Sequence, residues 1–232
     1  MSCFLKKAMS SFMRNKYPLS VAAISLFAVL IFAGCATEQS YLENLKFVKD
    51  AVINYRENGN FHKDTDEAVN NAISKFDNLI PGEKSAVIFD IDETSLSNYP
   101  YNKQADFGYV EKYFDMWIDS AKAPAIPEVQ RLYNYLVKRN FRIIFLTGRK
   151  TYQYDASLKN LEKVGYTKFD TLIVKDKKYY GLTALKFKSD KRTELEDAGY
   201  KIVGTVGDQW SDLEGPFHGI QVKIPNYQYF IK

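Results

Sequence analysis

Apolar residues recur in two rhythms along this chain, and each rhythm predicts a kind of element. Tyr41, Leu42, Leu45, Val48, Val52 and Tyr55 return at three- and four-residue spacing, the stripe of an amphipathic helix, and Asn58-Gly59-Asn60 ends it. Asp64 with Glu67 has capping-box spacing, and Val69, Ile73 and Phe76 mark a second helix. Beyond Pro81-Gly82 the rhythm changes. Ala86–Phe89, Phe141–Leu146, Thr171–Val174, Ile202–Gly207 and Gly219–Ile224 are short, continuous apolar runs that predict buried strands of a parallel sheet. Helical spacing returns between them: Val129, Leu132, Tyr133 and Leu136 after Pro127, and Tyr152 to Val164 before Gly165. Strands alternating with helices predict an α/β fold, a three-layer sandwich with a mainly parallel sheet and helices on both faces. An aromatic-rich segment with Phe107, Tyr109, Tyr113, Phe114 and Trp117 interrupts the alternation between Asn98 and Pro124 and predicts a small helical or loop cap. Its mostly helical spacing makes core packing the default for those aromatics, with stacking on a planar substrate group as the alternative.

Candidate chemistry sits where these strands end. Side chains alternate along a strand, so Asp90 and Asp92, two apart, leave the first strand facing the same way. Ligands in open α/β sheets bind just outside the carboxyl ends of strands. Burying two carboxylates there costs several kcal/mol unless a cation or hydrogen bonds compensate. Asp-Ile-Asp-Glu-Thr also suits a turn or a helix cap, and alone it does not decide. The second strand ends in Thr147-Gly148-Arg149, a hydroxyl with backbone N–H groups, which is an anion-site pattern that is weak by itself. Lys186 and Lys188 lie in a basic stretch, Ala184–Arg192, from which one lysine could reach a phosphate, and spacing does not say which. The fourth strand runs into Gly207-Asp208-Gln209-Trp210-Ser211-Asp212, a second acidic cluster at a strand end. Carboxylates with phosphate oxygens are the ligand set of Mg²⁺.

The first residues change the reading of charge and cysteine. Lys6, Lys7, Arg14 and Lys16, with no acid, precede an apolar run from Val21 to Ala33 that ends Ala33-Gly34-Cys35. A basic region, an apolar region and small residues before a cut site predict a secretory signal over residues 1–34. The formal charge is +4. Those four basic residues account for all of it, so the chain from Cys35 onward is neutral and its basic pI is no sign of nucleic acid. Cys3 and Cys35 are the two cysteines, which leaves no internal disulfide after cleavage. An uncleaved signal anchor is the alternative, the run lying near the lower limit of about 17 residues for a span.

Three resemblances join these signals. Ala-Gly-Cys at Ala33–Cys35 resembles a bacterial lipobox, which implies a lipid on Cys35, a tether over 35–40 and a chain exported to the bacterial cell envelope. Asp90-x-Asp92-Glu93-Thr94, Thr147-Gly148-Arg149, Lys188 and Gly207-Asp208-x-x-x-Asp212, in that order, resemble the haloacid dehalogenase (HAD) superfamily, and its DDDD-type acid phosphatases, including bacterial class C enzymes, most closely. Phe187–Arg192, Val206–Leu213 and Ile224–Asn226 look like the plant acid phosphatase and vegetative storage protein group. The resemblance covers residues 41–232: N-terminal helices over 41–80, a core over 84–232 and a cap region over about 98–124. It implies Asp90 as nucleophile and Asp92 as general acid and base. It places Thr147, Gly148 and Lys188 on the phosphate, and Mg²⁺ on Asp90, the backbone carbonyl of Asp92, Asp208 and Asp212. Asp92 would then carry a proton while Asp90 does not. The implied activity is Mg²⁺-dependent hydrolysis of small phosphomonoesters, nucleoside monophosphates among them. A non-catalytic binding or storage lipoprotein on the same fold is the alternative. His62 and His218 stand in unrelated contexts, which argues against a histidine phosphatase.

Overall fold

The computed structural model describes residues 43–231. The signal, Cys35, the tether, and Tyr41 and Leu42 of the first helical stripe lie outside them. Five strands form one sheet: β1 (Ser85–Phe89), β2 (Arg142–Lys150), β3 (Thr171–Lys175), β4 (Lys201–Gly207) and β5 (Ile220–Lys223). Their order is β3-β2-β1-β4-β5, and every pairing is parallel. The helices are α1 (Leu45–Glu57), α2 (Asn60–Asp77), α3 (Tyr99–Gln104), α4 (Glu111–Asp119), α5 (Pro127–Lys138), α6 (Tyr154–Lys163), α7 (Ala184–Asp197) and the single turn α8 (Trp210–Leu213). The expected three-layer α/β sandwich is present.

Alternation along β1 builds both layers. Val87 and Phe89 face a core made with Phe61, Val69 and Phe76 of α2 and Val129, Leu132 and Leu136 of α5. Ala86 and Ile88 face the other way, onto Phe187 and Leu195 of α7. Each fully buried side chain of this kind contributes roughly 1.5–3 kcal/mol. At Gly204 in β4 a Cβ would lie 2.5 Å from the Phe76 ring, so only glycine lets α2 pack this close to the sheet.

Two expectations are corrected. The second helix begins at Asn60, and Asp64 lies inside it, accepting a hydrogen bond from Tyr55 Oη at 2.8 Å rather than capping. Gly59 ends the preceding turn at φ 93°, a conformation open to glycine, so the backbone turn overrides the Asp64–Glu67 spacing. Of the aromatics of 107–117, Trp117 packs against the main core as expected, but the others do not enter it. Tyr109 and Tyr113 are exposed, and Phe107, Phe114 and Trp117 are half-buried. α3 and α4 are short and lie beside a cavity, and Phe107, Tyr109 and Phe114 line that cavity. Among the described residues, no helix is long and apolar enough to cross a membrane.

Candidate active site

Strand order places the site. The sheet reverses its winding between β1 and β4, and at such a switch point the strand ends leave a crevice. Asp90 follows β1 and Asp208 follows β4, and the Asp90 N–H donates to Val206 O at 2.9 Å, holding the two ends together. Gly207 brings Asp212 over them: a Cβ there would stand 2.4 Å from the Asp212 Cβ. The result is a cavity of about 440 Å³ lined by Asp90, Asp92, Gly148, Lys188, Asp208 and Asp212, among others.

Of the predicted residues, Thr147 alone stands behind the wall. It is fully buried within β2 and is not part of the lining; Arg149 N donates to its Oγ1 at 3.2 Å. Gly148 and Arg149 form the surface there. The choice between the lysines is resolved by the phase of α7. Lys186 is exposed and pairs with Asp190, whereas Lys188 is buried on the same face as Arg192 and Leu195. Lys188 Nζ donates to Asp90 Oδ1 at 2.5 Å and to Asp212 Oδ1 at 2.6 Å.

Each carboxylate has a different environment. Asp90 lines the cavity; its Oδ1 pairs with Lys188, and among the described residues its Oδ2 makes no hydrogen bond. Asp208 accepts from Thr94 Oγ1 at 3.1 Å, Gln209 Nε2 at 2.6 Å and Asn226 Nδ2 at 2.7 Å. Asp212 Oδ2 accepts from Gln209 N at 2.9 Å. Burial holds the Asp90 carboxyl well above the usual range; Lys188 opposes this, and the charges of Asp212, Asp208 and Asp92 add to it. Asp208 is pushed up to about 7 by burial and by Asp212, against the hydrogen bonds from Asn226 and Gln209. Burial would lower the Lys188 ammonium, but Asp212 and Asp90 outweigh it and hold it above its ordinary value.

Asp92 behaves in the opposite way. Arg149 donates to both of its oxygens, through Nε at 3.1 and 3.0 Å and through Nη2 at 2.7 Å, and Asn98 Nδ2 adds a bond at 2.7 Å. Burial would raise this carboxyl, but the Arg149 charge and these bonds hold it below the usual range. In the metal-free protein the two shifts run against the expected split, with the Asp90 carboxyl raised and the Asp92 carboxyl lowered. Both carboxyls are buried, and what separates them is the distribution of cations among the described residues: Arg149 pairs with Asp92, while Lys188 is shared by Asp90 and Asp212.

That imbalance is what a cation would correct. Asp90, Asp208 and Asp212 each offer a carboxylate oxygen within 4.8 Å of the others. Ser211 lines the same cavity, and its buried Oγ has no hydrogen-bond partner. An all-oxygen donor set with excess negative charge fits a hard divalent cation.

Several residues of the site had no role assigned from the sequence or were seen there only in part. Arg149 was visible only as part of Thr-Gly-Arg. Glu93 is fully buried at φ 56° and accepts from Asn98 N at 2.6 Å and from Gln228 Nε2 at 2.5 Å. A non-glycine residue in that conformation costs about 1–3 kcal/mol. Burial raises its carboxyl to about 7, against the pull of Arg56. Tyr229 and Phe230, after β5, form part of the cavity wall, and burial among Asp208, Glu93, Asp92 and Asp90 raises the Tyr229 phenol well above its ordinary value. Phe107, Tyr109 and Phe114 stand on the cap side. Neither His62 nor His218 lines this cavity.

Residues 28–232 match the family described as HAD superfamily, subfamily IIIB (Acid phosphatase). A stem 28 kDa glycoprotein of Glycine max is 42% identical over 156 residues, covering 64% of this chain and 61% of the relative. Acid phosphatase 1 of Solanum lycopersicum is 36% identical over 148 residues, covering 62% of this chain and 58% of the relative. The chain thus spans about three fifths of the length of these curated relatives. A class C acid phosphatase from Bacillus anthracis, crystallised with tungstate, is 27% identical with a TM-score of 0.67, over 82% of this chain and 87% of that one.

Proposed function

This chain belongs to the acid phosphatases of HAD superfamily subfamily IIIB, and on that premise we propose that it is an exported, lipid-anchored, Mg²⁺-dependent phosphatase of small phosphomonoesters. The observation that carries the reading is the meeting of Asp90, Asp208, Asp212 and Lys188 in one cavity at the switch point of the sheet. In this reading Asp90 Oδ2 attacks phosphorus, the bond from phosphorus to the leaving oxygen breaks, and an aspartyl-phosphate forms. Asp92 gives the departing alkoxide its proton and takes one from the water that hydrolyses the intermediate. Arg149 holds the Asp92 carboxyl below the usual range in the free site, so in this reading Asp92 takes up that proton as the incoming phosphate draws on the Arg149 charge. An acid pH favours the uptake. Lys188 and Gly148 are the proposed phosphate-holding groups, with Thr147 behind them fixing the turn through the bond its Oγ1 accepts from Arg149 N, since phosphoryl transfer depends mainly on positioning and charge stabilisation.

Asp90, Asp208, Asp212 and the backbone carbonyl of Asp92 would hold the metal. When bound it supplies the charge that shields Asp90 from a phosphate dianion and polarises the phosphoryl oxygens. The tungstate on the Bacillus anthracis relative, an oxyanion of phosphate-like shape, supports an anion site on this scaffold. The aromatic cavity wall supports nucleoside monophosphates as substrates, since a base stacked on an aromatic ring gains about 1–3 kcal/mol. Phosphate release from p-nitrophenyl phosphate and a nucleotide panel is expected to need Mg²⁺ and to stop on chelation. A folded protein that releases no phosphate from any ester would refute the reading.

The basic stretch, apolar run and Ala33-Gly34-Cys35 support export and a thioether lipid on Cys35. Cells fed a labelled fatty acid are expected to label the protein, and Cys35→Ser to abolish the label. Equal labelling of both would refute the anchor.

A further inference from the structure

Two carboxylates of the cavity, Asp90 and Asp92, are carried by a loop, residues 90–98, that is tied from below. Ser95 and Leu96 donate their N–H groups to Ile91 O, and Ser95 Oγ donates to Asp90 O at 2.6 Å. Asn98 closes the loop: its N–H goes to Glu93 and its side chain to Asp92. Glu93 therefore decides where Asn98 sits, and Asn98 helps decide where Asp92 sits. Glu93 is fully buried and does not line the cavity, although its Oε2 accepts from Gln228, which does.

What meets it there comes from another part of the fold. Arg56, in the last turn of α1, places Nη1 3.6 Å from Glu93 Oε2 and donates through Nη2 to Ser97 Oγ at 2.6 Å. Its guanidinium lies 3.6 Å over the Phe61 ring and 4.8 Å from that of Tyr99. One planar group thus touches the loop at Glu93 and at Ser97 while resting on a rigid aromatic face of the core. Arg56 is the one cation in ion-pair range of Glu93 among the described residues, and it does not line the cavity.

We propose that Arg56 is a positioning residue for the Asp90–Asp92 pair, acting through the buried carboxylate of Glu93 and the backbone of Asn98. It couples α1, outside the sheet, to the geometry of the reacting groups. The charge alone does not suffice: a lysine reaches one partner, whereas the guanidinium fork reaches both and stacks. The inference rests on the phosphatase reading for its kinetic consequence and on the structure alone for its mechanical one.

The test uses the full-length protein and the variants Arg56→Met and Arg56→Lys. Each is measured by steady-state kinetics and by hydrogen exchange of the amides of residues 91–98. Arg56→Met is expected to lower kcat between about ten- and a hundredfold, the penalty of a misplaced reacting group. KM should stay within about threefold, because substrate contacts are untouched. Exchange across 91–98 should speed up, and Arg56→Lys should fall between Met and wild type in both measurements. A purely structural arginine would lower the melting temperature while leaving kcat of the folded protein unchanged, and that result overturns the proposal. If Arg56→Met does not fold, Arg56→Lys decides, with wild-type kcat and wild-type exchange counting against. A wild-type protein that hydrolyses no ester refutes the phosphatase reading, and faster exchange in Arg56→Met would still support the brace.

Discussion

Asp90→Asn is expected to lower kcat by about 10⁴-fold or more, the scale seen when the attacking group of an enzyme is removed. The fold is expected to survive. Asparagine is isosteric, and its Oδ1 still accepts from Lys188, as Asp90 Oδ1 does at 2.5 Å. The substitution also removes one charge from a buried group of carboxylates whose mutual repulsion keeps Asp90 above the usual range. A carboxyl whose folded pKa lies above its unfolded one destabilises the fold at any pH above the unfolded value, and the cost disappears once it is protonated. In the metal-free state Asp90→Asn should therefore melt at or above the wild-type temperature at neutral pH, and the difference should vanish in acid. Thermal melts of metal-free protein beside kinetics separate lost chemistry from lost structure. An active Asp90→Asn would remove Asp90 from the reaction.

Lys188→Met should do the opposite to stability and also stop turnover. Lys188 is the only cation on Asp90 and on Asp212 among the described residues, and it is buried with them. Removing one member of a buried pair costs about 3–5 kcal/mol because the other charge is left uncompensated. For a chain of this size each kcal/mol moves the melting temperature by about 2–4 °C, so a fall of roughly 6–20 °C is expected. The pH dependence has a definite sign. Without Lys188 the Asp90 carboxyl, already raised, rises further, so the deficit is greatest near neutral pH and shrinks as acid protonates it. Catalysis should not recover in acid, because the phosphate has lost a charged contact. A melting temperature equal to wild type at neutral pH would show that the pair carries no such load.

How much of this was legible in the sequence follows from the range of each interaction. Strands β1 and β4 and the acids at their ends were readable because buried parallel strands are unbroken apolar runs, and charge at their ends stands out. Spacing did not separate Lys188 from Lys186; the family resemblance picked Lys188, and helical phase gives the physical reason, with Phe187, Arg192 and Leu195 facing inward. Arg149 was adjacent to a readable motif, yet its partner is 57 residues away. The bond from Gln228 to Glu93 spans 135 residues. Neither pairing has a local signature, because each depends on which loops the sheet order brings together. The Asp64–Glu67 spacing misled for the reverse reason, since a glycine turn next door set the helix start. The cap aromatics other than Trp117 misled because helical spacing reports a face and not what covers it.

The most direct test of the central claim is to trap the phosphoryl group. Wild-type protein with Mg²⁺ and a labelled phosphomonoester would be quenched in acid during turnover and digested, and the peptide holding Asp90 examined by mass spectrometry. A phosphoryl group on Asp90, absent with chelator and absent in Asp90→Asn, is the expected result. Rapid turnover with no phosphoryl group on that peptide would contradict Asp90 as nucleophile. No turnover and no adduct in a folded, metal-binding protein would mean that this scaffold binds or stores rather than hydrolyses.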